Sequence, residues 1–188
     1  MSIERSSSLE LYNDKICLRD MNEGDIDDYI TWNTIETEWQ NWDAPWEKKE
    51  KVDVEDLREK LKLRLEVEPP KSRRRFEICK LDGIHIGWVS SYYINGDTSK
   101  LAVGIDIPSE RYRGEKLGKA ALLLFITYKF ETEDIEHIYT ETWSGNHRMI
   151  KLAEKLGFQL AEKEENSISF DGQTYHGLTF KLDKTNVL

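Results

Sequence analysis

Apolar and polar positions recur along the chain with two periods, and each change of period marks an element. Lys15 to Arg19 alternates as a short strand. Asn22 then has the character of an N-cap, with Glu23 and Asp25 in the first turn of a helix to about Trp32. Asp53 caps a second helix to about Glu66, with Val54, Leu57, Leu61 and Leu65 on one stripe. Pro69 and Pro70 stop it. From Arg74 the period becomes two. Arg74 to Leu81 reads as a strand and Asp82-Gly83 as a hairpin turn. In the next strand Ile84, Ile86, Trp88, Ser90, Tyr92 and Ile94 alternate along one face. After a second turn signal at Asn95-Gly96, Leu101, Val103, Ile105 and Ile107 share a face of a strand that Pro108 closes.

The helical period returns from about Glu115 to Glu131. Leu117, Ala121, Leu124 and Tyr128 form a stripe flanked by Ala120, Leu123 and Thr127, which predicts a helix buried against a sheet. His137 to Trp143 is a strand, and Asn146 to Leu156 a helix with Met149, Leu152, Ala153 and Leu156 inward. Gly157 suits its C-cap, and Phe158 opens the next strand. A last hairpin pairs Gln159–Phe170 with Thr174–Leu182 across Asp171-Gly172. The order β-α-α-β-β-β-α-β-α-β-β predicts an α+β fold with a mixed sheet. No repeat, low-complexity tract or linker divides the 188 residues, so one domain over 1–188 is expected.

Composition narrows the class. Hydrophobic residues make up 38% and charged residues 34%, a globular balance without an apolar run of membrane-spanning length. Met1 to Leu11 lacks the apolar core of a secretory leader, so the cytoplasm is the expected compartment. Cys17 and Cys79 lie in strand-like segments and read as small core residues, with no zinc-type spacing and no metal expected. A net charge of −9 argues against nucleic acid as a partner and suits a cationic substrate. Lys71, Arg73, Arg74 and Arg75 read as a solvated strand entry.

One segment carries chemistry. In Ile107 to Ala121 a strand ends, a loop with Gly114 and Gly118 follows, and a helix begins. The first amides of a helix have no intrahelical acceptor, and with the helix dipole they make an anion site that glycines let a phosphate approach. Arg113 and Lys119 add positive charge. Gly114 to Ala120 is one residue short of a P-loop and lacks the hydroxyl that would hold magnesium, so a kinase has little support. No GxGxxG follows the first strand, which leaves a dinucleotide fold unsupported.

This loop and the order of elements resemble the GCN5-related N-acetyltransferase (GNAT) superfamily, whose pyrophosphate loop reads Arg/Gln-x-x-Gly-x-Gly/Ala. Arg113-Gly114-Glu115-Lys116-Leu117-Gly118 matches at the arginine and the second glycine, with Lys116 where the first glycine is usual. Asn146 to Phe158 resembles the family's Asn-x-x-x-Ile…Gly-Phe helix beside the pantetheine arm. Within the superfamily the chain looks most like the branch of ribosomal-protein N-terminal acetyltransferases.

The resemblance implies a domain that transfers acetyl from acetyl-CoA, as co-substrate, to a primary amine by direct attack. The amine is a protein N-terminus or a small amine. It implies coenzyme contacts from Ile105, Ile107, Arg113, Gly114, Lys116, Leu117, Gly118, Lys119 and Asn146. A backbone amide near Ile105 to Ile107 would meet the thioester carbonyl. Glu141 is the first candidate for proton acceptor, with Asp106 and Glu110 behind it, and Asn146 is the better-founded site residue. The helix after Asn146 lacks the tyrosine that many relatives carry, which leaves Ser144 or a water as donor to the thiolate. The tryptophan-rich stretch Thr31 to Lys49 falls where the acceptor wall is expected. Trp39, Trp42 and Trp46, interleaved with carboxylates, are the candidate contacts for an ammonium group. The resemblance also allows a homodimer. The competing class is a coenzyme-binding module without turnover.

Overall fold

The computed structural model describes residues 8–48 and 51–187. The leader reading at residues 1–7, and Lys49 at the end of the tryptophan stretch, lie outside them. One mixed sheet of eight strands runs in the order β1-β2-β3-β4-β5-β6-β8-β7. Its strands are β1 (Glu10–Tyr12), β2 (Ile16–Arg19), β3 (Arg75–Lys80), β4 (His85–Tyr93), β5 (Leu101–Asp106), β6 (His137–Trp143), β7 (Gln159–Phe170) and β8 (Gln173–Asp183). The helices are α1 (Asp25–Thr34), α2 (Val54–Glu66), α3 (Leu117–Thr132) and α4 (His147–Lys155). No described helix is long and apolar enough to cross a membrane.

The sheet has a core on each face. On one, Ile16, Leu18, Phe76, Ile78, Ile86, Val89 and Val103 pack against α3 and α4. On the other, Trp88 meets Ile26, Tyr29 and Trp32 of α1 and Leu61 of α2. Both faces of the central strands are therefore covered.

Four expectations are corrected. Strand β1 was not foreseen; it is three residues long and gains order only by pairing with β2. Helix α1 starts three residues after Asn22, whose Oδ1 accepts from the Gly24 amide instead of capping the helix. The Asp25 carboxylate is turned inward onto Arg19. In β4, Ile86 and Trp88 lie in opposite cores, because the pairing passes from Ile78–Gly87 to Cys79–His85 and leaves Ile86 as the extra residue of a bulge in β4. In α3 the fully buried positions are Ala121, Leu122, Phe125, Ile126 and Lys129, whereas Leu124 is only half buried and Leu123 is exposed. The long apolar run of α3 left its inward stripe underdetermined by period alone.

Polar groups beneath α1 are paired. Glu77, fully buried, accepts from Tyr29 Oη (2.6 Å) and lies 3.1 Å from His85 Nε2. His85 Nδ1 faces Asp28 at 2.9 Å and Asp25 at 3.3 Å. Burial acts to lower the His85 pKa, but the bonds and charges of Glu77, Asp25 and Asp28 win and raise it. The basic entry to β3 is not wholly solvated either. Arg73 is buried on Asp20, and Arg75 lies over the Trp88 ring at 4.6 Å. Cys17 and Cys79 are buried, unbonded to each other and directly opposite across β2 and β3.

The bulge sets up the neighbouring strand. A Cβ on Gly87, whose φ is +156°, would sit 2.0 Å from the Asp106 carbonyl oxygen. Gly87→Ala is expected to cost about 1–3 kcal/mol, as overpacked interiors do. Urea unfolding checks this; an unchanged midpoint would show that the strands part freely there.

Candidate active site

Strands β5 and β6 run parallel but share a single register pair, Ala102 with Tyr139. One further tie follows, Thr140 Oγ1 donating to the Val103 carbonyl at 2.8 Å. Beyond it the strands diverge, and a cavity of about 1040 Å³ opens between them. The Ile94 amide bonds the Lys100 carbonyl, so the even positions of β5 exchange bonds with β4. By alternation the odd positions turn toward β6: the Val103 amide serves the Ala102–Tyr139 pair, and the amides of Ile105 and Ile107 face the gap.

The loop after β5 supplies the second feature. Gly114 has φ +90°, and Lys116, the residue before α3, is left-handed at φ +64°. Lys116 thus keeps the conformation for which a glycine is usual, at a cost of about 1 kcal/mol. No side chain caps α3, and the first intrahelical bond runs from the Ala120 amide to the Lys116 carbonyl. The amides of Leu117, Gly118 and Lys119 therefore precede the ladder. A Cβ on Gly118 would lie 3.4 Å from Ile107 Cδ1, so glycine lets the helix start press against β5. The Leu117 side chain is core, and only its backbone belongs to this cradle.

Side chains of both charges line the cavity. Lys116 and Lys119 line it from the start of α3, and Lys151 and Lys155 from α4, with Arg113 and Arg148 beside them. Asp43, Asp106 and Glu141 line it together, close enough for Asp43 to act on Asp106, and Met149 and Leu152 of α4 add apolar surface. Burial, reinforced by the charge of Asp43, pushes Asp106 up to about 7, against the pull of Arg75 and Arg113. Tyr92 Oη donates to Glu141 Oε2 at 3.0 Å, and burial followed by that carboxylate raises the tyrosine pKa.

Several expected residues are placed differently. Arg113 turns away from the loop amides: its Nε bonds the Ile107 carbonyl (2.9 Å), one terminal nitrogen bonds the Pro108 carbonyl (2.6 Å), and the other pairs with Glu38. Asn146 lines the cavity, but its amide is engaged at both ends. Oδ1 caps α4 at the Met149 amide, and Nδ2 donates to the Trp42 carbonyl at 2.6 Å. Trp39 and Trp42 reach the cavity, whereas Trp46 packs edge-on against Trp143 outside it. Ser144 is tied to His176, its amide donating to the His176 carbonyl and its Oγ accepting from the His176 amide, and Glu110 is an exposed neighbour of Arg113; neither lines the cavity. Tyr92 and His147 were missed. Tyr92 sat in a strand pattern indistinguishable from core, and His147 in the first turn of a helix.

Because Asp106 binds its proton more tightly in the native fold than at its ordinary value of 3.8, its burial costs nothing below about pH 4. The cost grows as pH rises toward 7 and is complete above it. Asp106→Asn is therefore expected to gain thermal stability over the parent as pH goes from 4 to 8. A Tm difference independent of pH would contradict this.

The comparisons agree with this geometry. No curated protein matches the chain in sequence. An acetyltransferase of the GNAT family from Bacillus anthracis superposes with TM-score 0.73 at 12% identity, over 94% of this chain and 99% of that one. Spermidine N-acetyltransferase from Vibrio cholerae, solved with CoA and spermine, gives 0.73 at 17% identity, over 93% and 99%. RimL, a ribosomal L7/L12 alpha-N-protein acetyltransferase solved with coenzyme A, gives 0.72 at 14% identity, over 91% and 95%. Residues 15–159 match the acetyltransferase (GNAT) domain family, and with that span, this loop and this divided sheet, the chain belongs to the GNAT N-acetyltransferases.

Proposed function

We propose that the protein transfers acetyl from acetyl-CoA to a primary amine that carries further positive charge, with Asp106 taking the proton from the attacking nitrogen. The observation that carries this reading is the cavity at the divided sheet, lined by the uncapped start of α3 with its lysines and by the carboxylates of Asp43, Asp106 and Glu141.

The residues present suit coenzyme A. Lys116 and Lys119 flank the amides of 117–119, a setting for a diphosphate. Met149 and Leu152 suit the pantetheine arm. The thioester supplies the activated acetyl group, and the Ile105 and Ile107 amides point where its carbonyl would gather charge. One such donor contributes about 3 kcal/mol in acyl transfer. An ammonium group must lose a proton before it attacks, and a base is most effective with a pKa near the working pH. Asp106 meets that condition. Glu141, the first choice from sequence, is held by Tyr92 and suits binding of charge better than removal of a proton. Trp39 and Trp42 add aromatic surface beside Asp43. An acceptor with more than one amine, such as the polyamine bound by the Vibrio neighbour, fits three carboxylates better than a lone N-terminus does.

Thiol release from acetyl-CoA with a panel of spermidine, putrescine, peptides with free N-termini, and monoamines tests the reading. Amine-dependent release is expected, strongest for the polycations. Asp106→Asn is expected to lower kcat/KM about 100-fold or more at pH 7. It should also remove a limb of the parent's pH–rate profile that rises through about 7. Binding of CoA with no release for any amine would leave a coenzyme-binding module instead.

A further inference from the structure

The acceptor wall consists of two short 3-10 turns, Thr37–Asn41 and Pro45–Glu47, and the first buries none of its residues. Trp39 anchors the first turn against the core beneath α1, and the rest of the turn is held by polar contacts. Glu38 makes the contacts that matter. One of its oxygens accepts from the Arg113 guanidinium. The other accepts from the Trp42 indole and lies 3.6 Å from Arg148. Arg148 in turn lies 3.9 Å over the Trp42 ring. The three partners come from the coenzyme loop, the first turn of α4 and the wall itself. Among the described residues, Glu38 to Arg113 is the only hydrogen-bonded link between residues 37–47 and 105–119.

Arg113 anchors at its other end to the carbonyls of Ile107 and Pro108, where β5 leads into the loop. Whatever orders residues 113–118 therefore orders Arg113, and through it Glu38. We infer that Glu38 is a positioning residue that transmits coenzyme binding to the acceptor wall, so that the Trp39–Trp42 side of the amine site becomes fully ordered only on the coenzyme complex. This rests on the reading of the loop as a coenzyme cradle. The linkage is a cost of ordering met once, by the first ligand, so that the second binds a site already in place.

The test needs no knowledge of the acceptor. Amide hydrogen exchange is followed on the full chain with and without saturating CoA, in the parent and in Glu38→Gln, which keeps an acceptor for Trp42 but removes the charge that Arg113 holds. In the parent, CoA is expected to slow exchange both in 113–119 and, about fivefold or more, in 37–47. In Glu38→Gln the loop is expected to stay protected while the wall loses its response. Glu38→Asp, which keeps the charge, is expected to restore part of it. Equal slowing of the wall in parent and Glu38→Gln would overturn the inference, as would a parent wall indifferent to CoA while its loop is protected. A parent loop that CoA leaves unprotected would overturn the coenzyme reading and the inference with it, a result distinct from the other two. If Glu38→Gln melts below the assay temperature, the parent in about 1 M KCl with CoA kept saturating replaces it, since that ionic strength screens partly exposed ion pairs.

Discussion

The site exists because two neighbouring parallel strands stop bonding to each other after one register pair. Backbone N–H groups in a sheet interior are normally satisfied by the adjacent strand. Here β5 keeps its bonds to β4 along its whole length, while beyond Val103 the amides of the other set open into the cavity. Two constraints hold that arrangement. The Gly87 bulge lets β4 follow β5 closely at Asp106. The Thr140 hydroxyl closes the last paired step at Val103. The free edge of β5, the missing cap of α3 and the glycine contact at Ile107 are consequences of one geometry, in which donors are left unsatisfied where a ligand can take them.

Charge is arranged around that opening. Lysines gather at the loop and on α4, and carboxylates gather where β5, β6 and the wall converge. The two arginines of the region do not simply add to the cationic charge, because Glu38 lies between them. Arg113 consequently acts on the backbone that shapes the loop. Withdrawing Asp106 from water is costly at neutral pH, as its raised pKa shows.

The aromatic residues contribute mainly by packing. Trp39 donates to the Trp32 carbonyl and stands edge-on to Trp88, Trp46 stands edge-on to Trp143, and Trp42 presents its carbonyl to Asn146 and Trp143. These contacts fasten a short irregular segment to α1, β6 and α4. Only part of Trp39 and Trp42 is then left to face an acceptor.

The chain by itself determined the elements and their order, apart from the short β1, and it located the glycine-bearing loop that opens α3. Those features are local: turn residues at Asp82-Gly83 and Asp171-Gly172, caps at Asp53 and Asn146, and a glycine-bearing loop that opens a helix. Lys116 was legible as a departure, and its left-handed backbone resolves it. What only the tertiary structure decided depends on residues distant in sequence. The inward stripe of α3 depends on what the sheet offers it. The bulge in β4 depends on the partner strand. The partners of Arg113, the double use of Asn146 and the raised pKa of Asp106 depend on groups far apart in sequence meeting, 75 positions for Glu38 with Arg113 and 104 for Trp42 with Asn146. Period and propensity record the preferences of neighbouring residues. Burial, and the electrostatics that follow from it, is a property of the assembled fold.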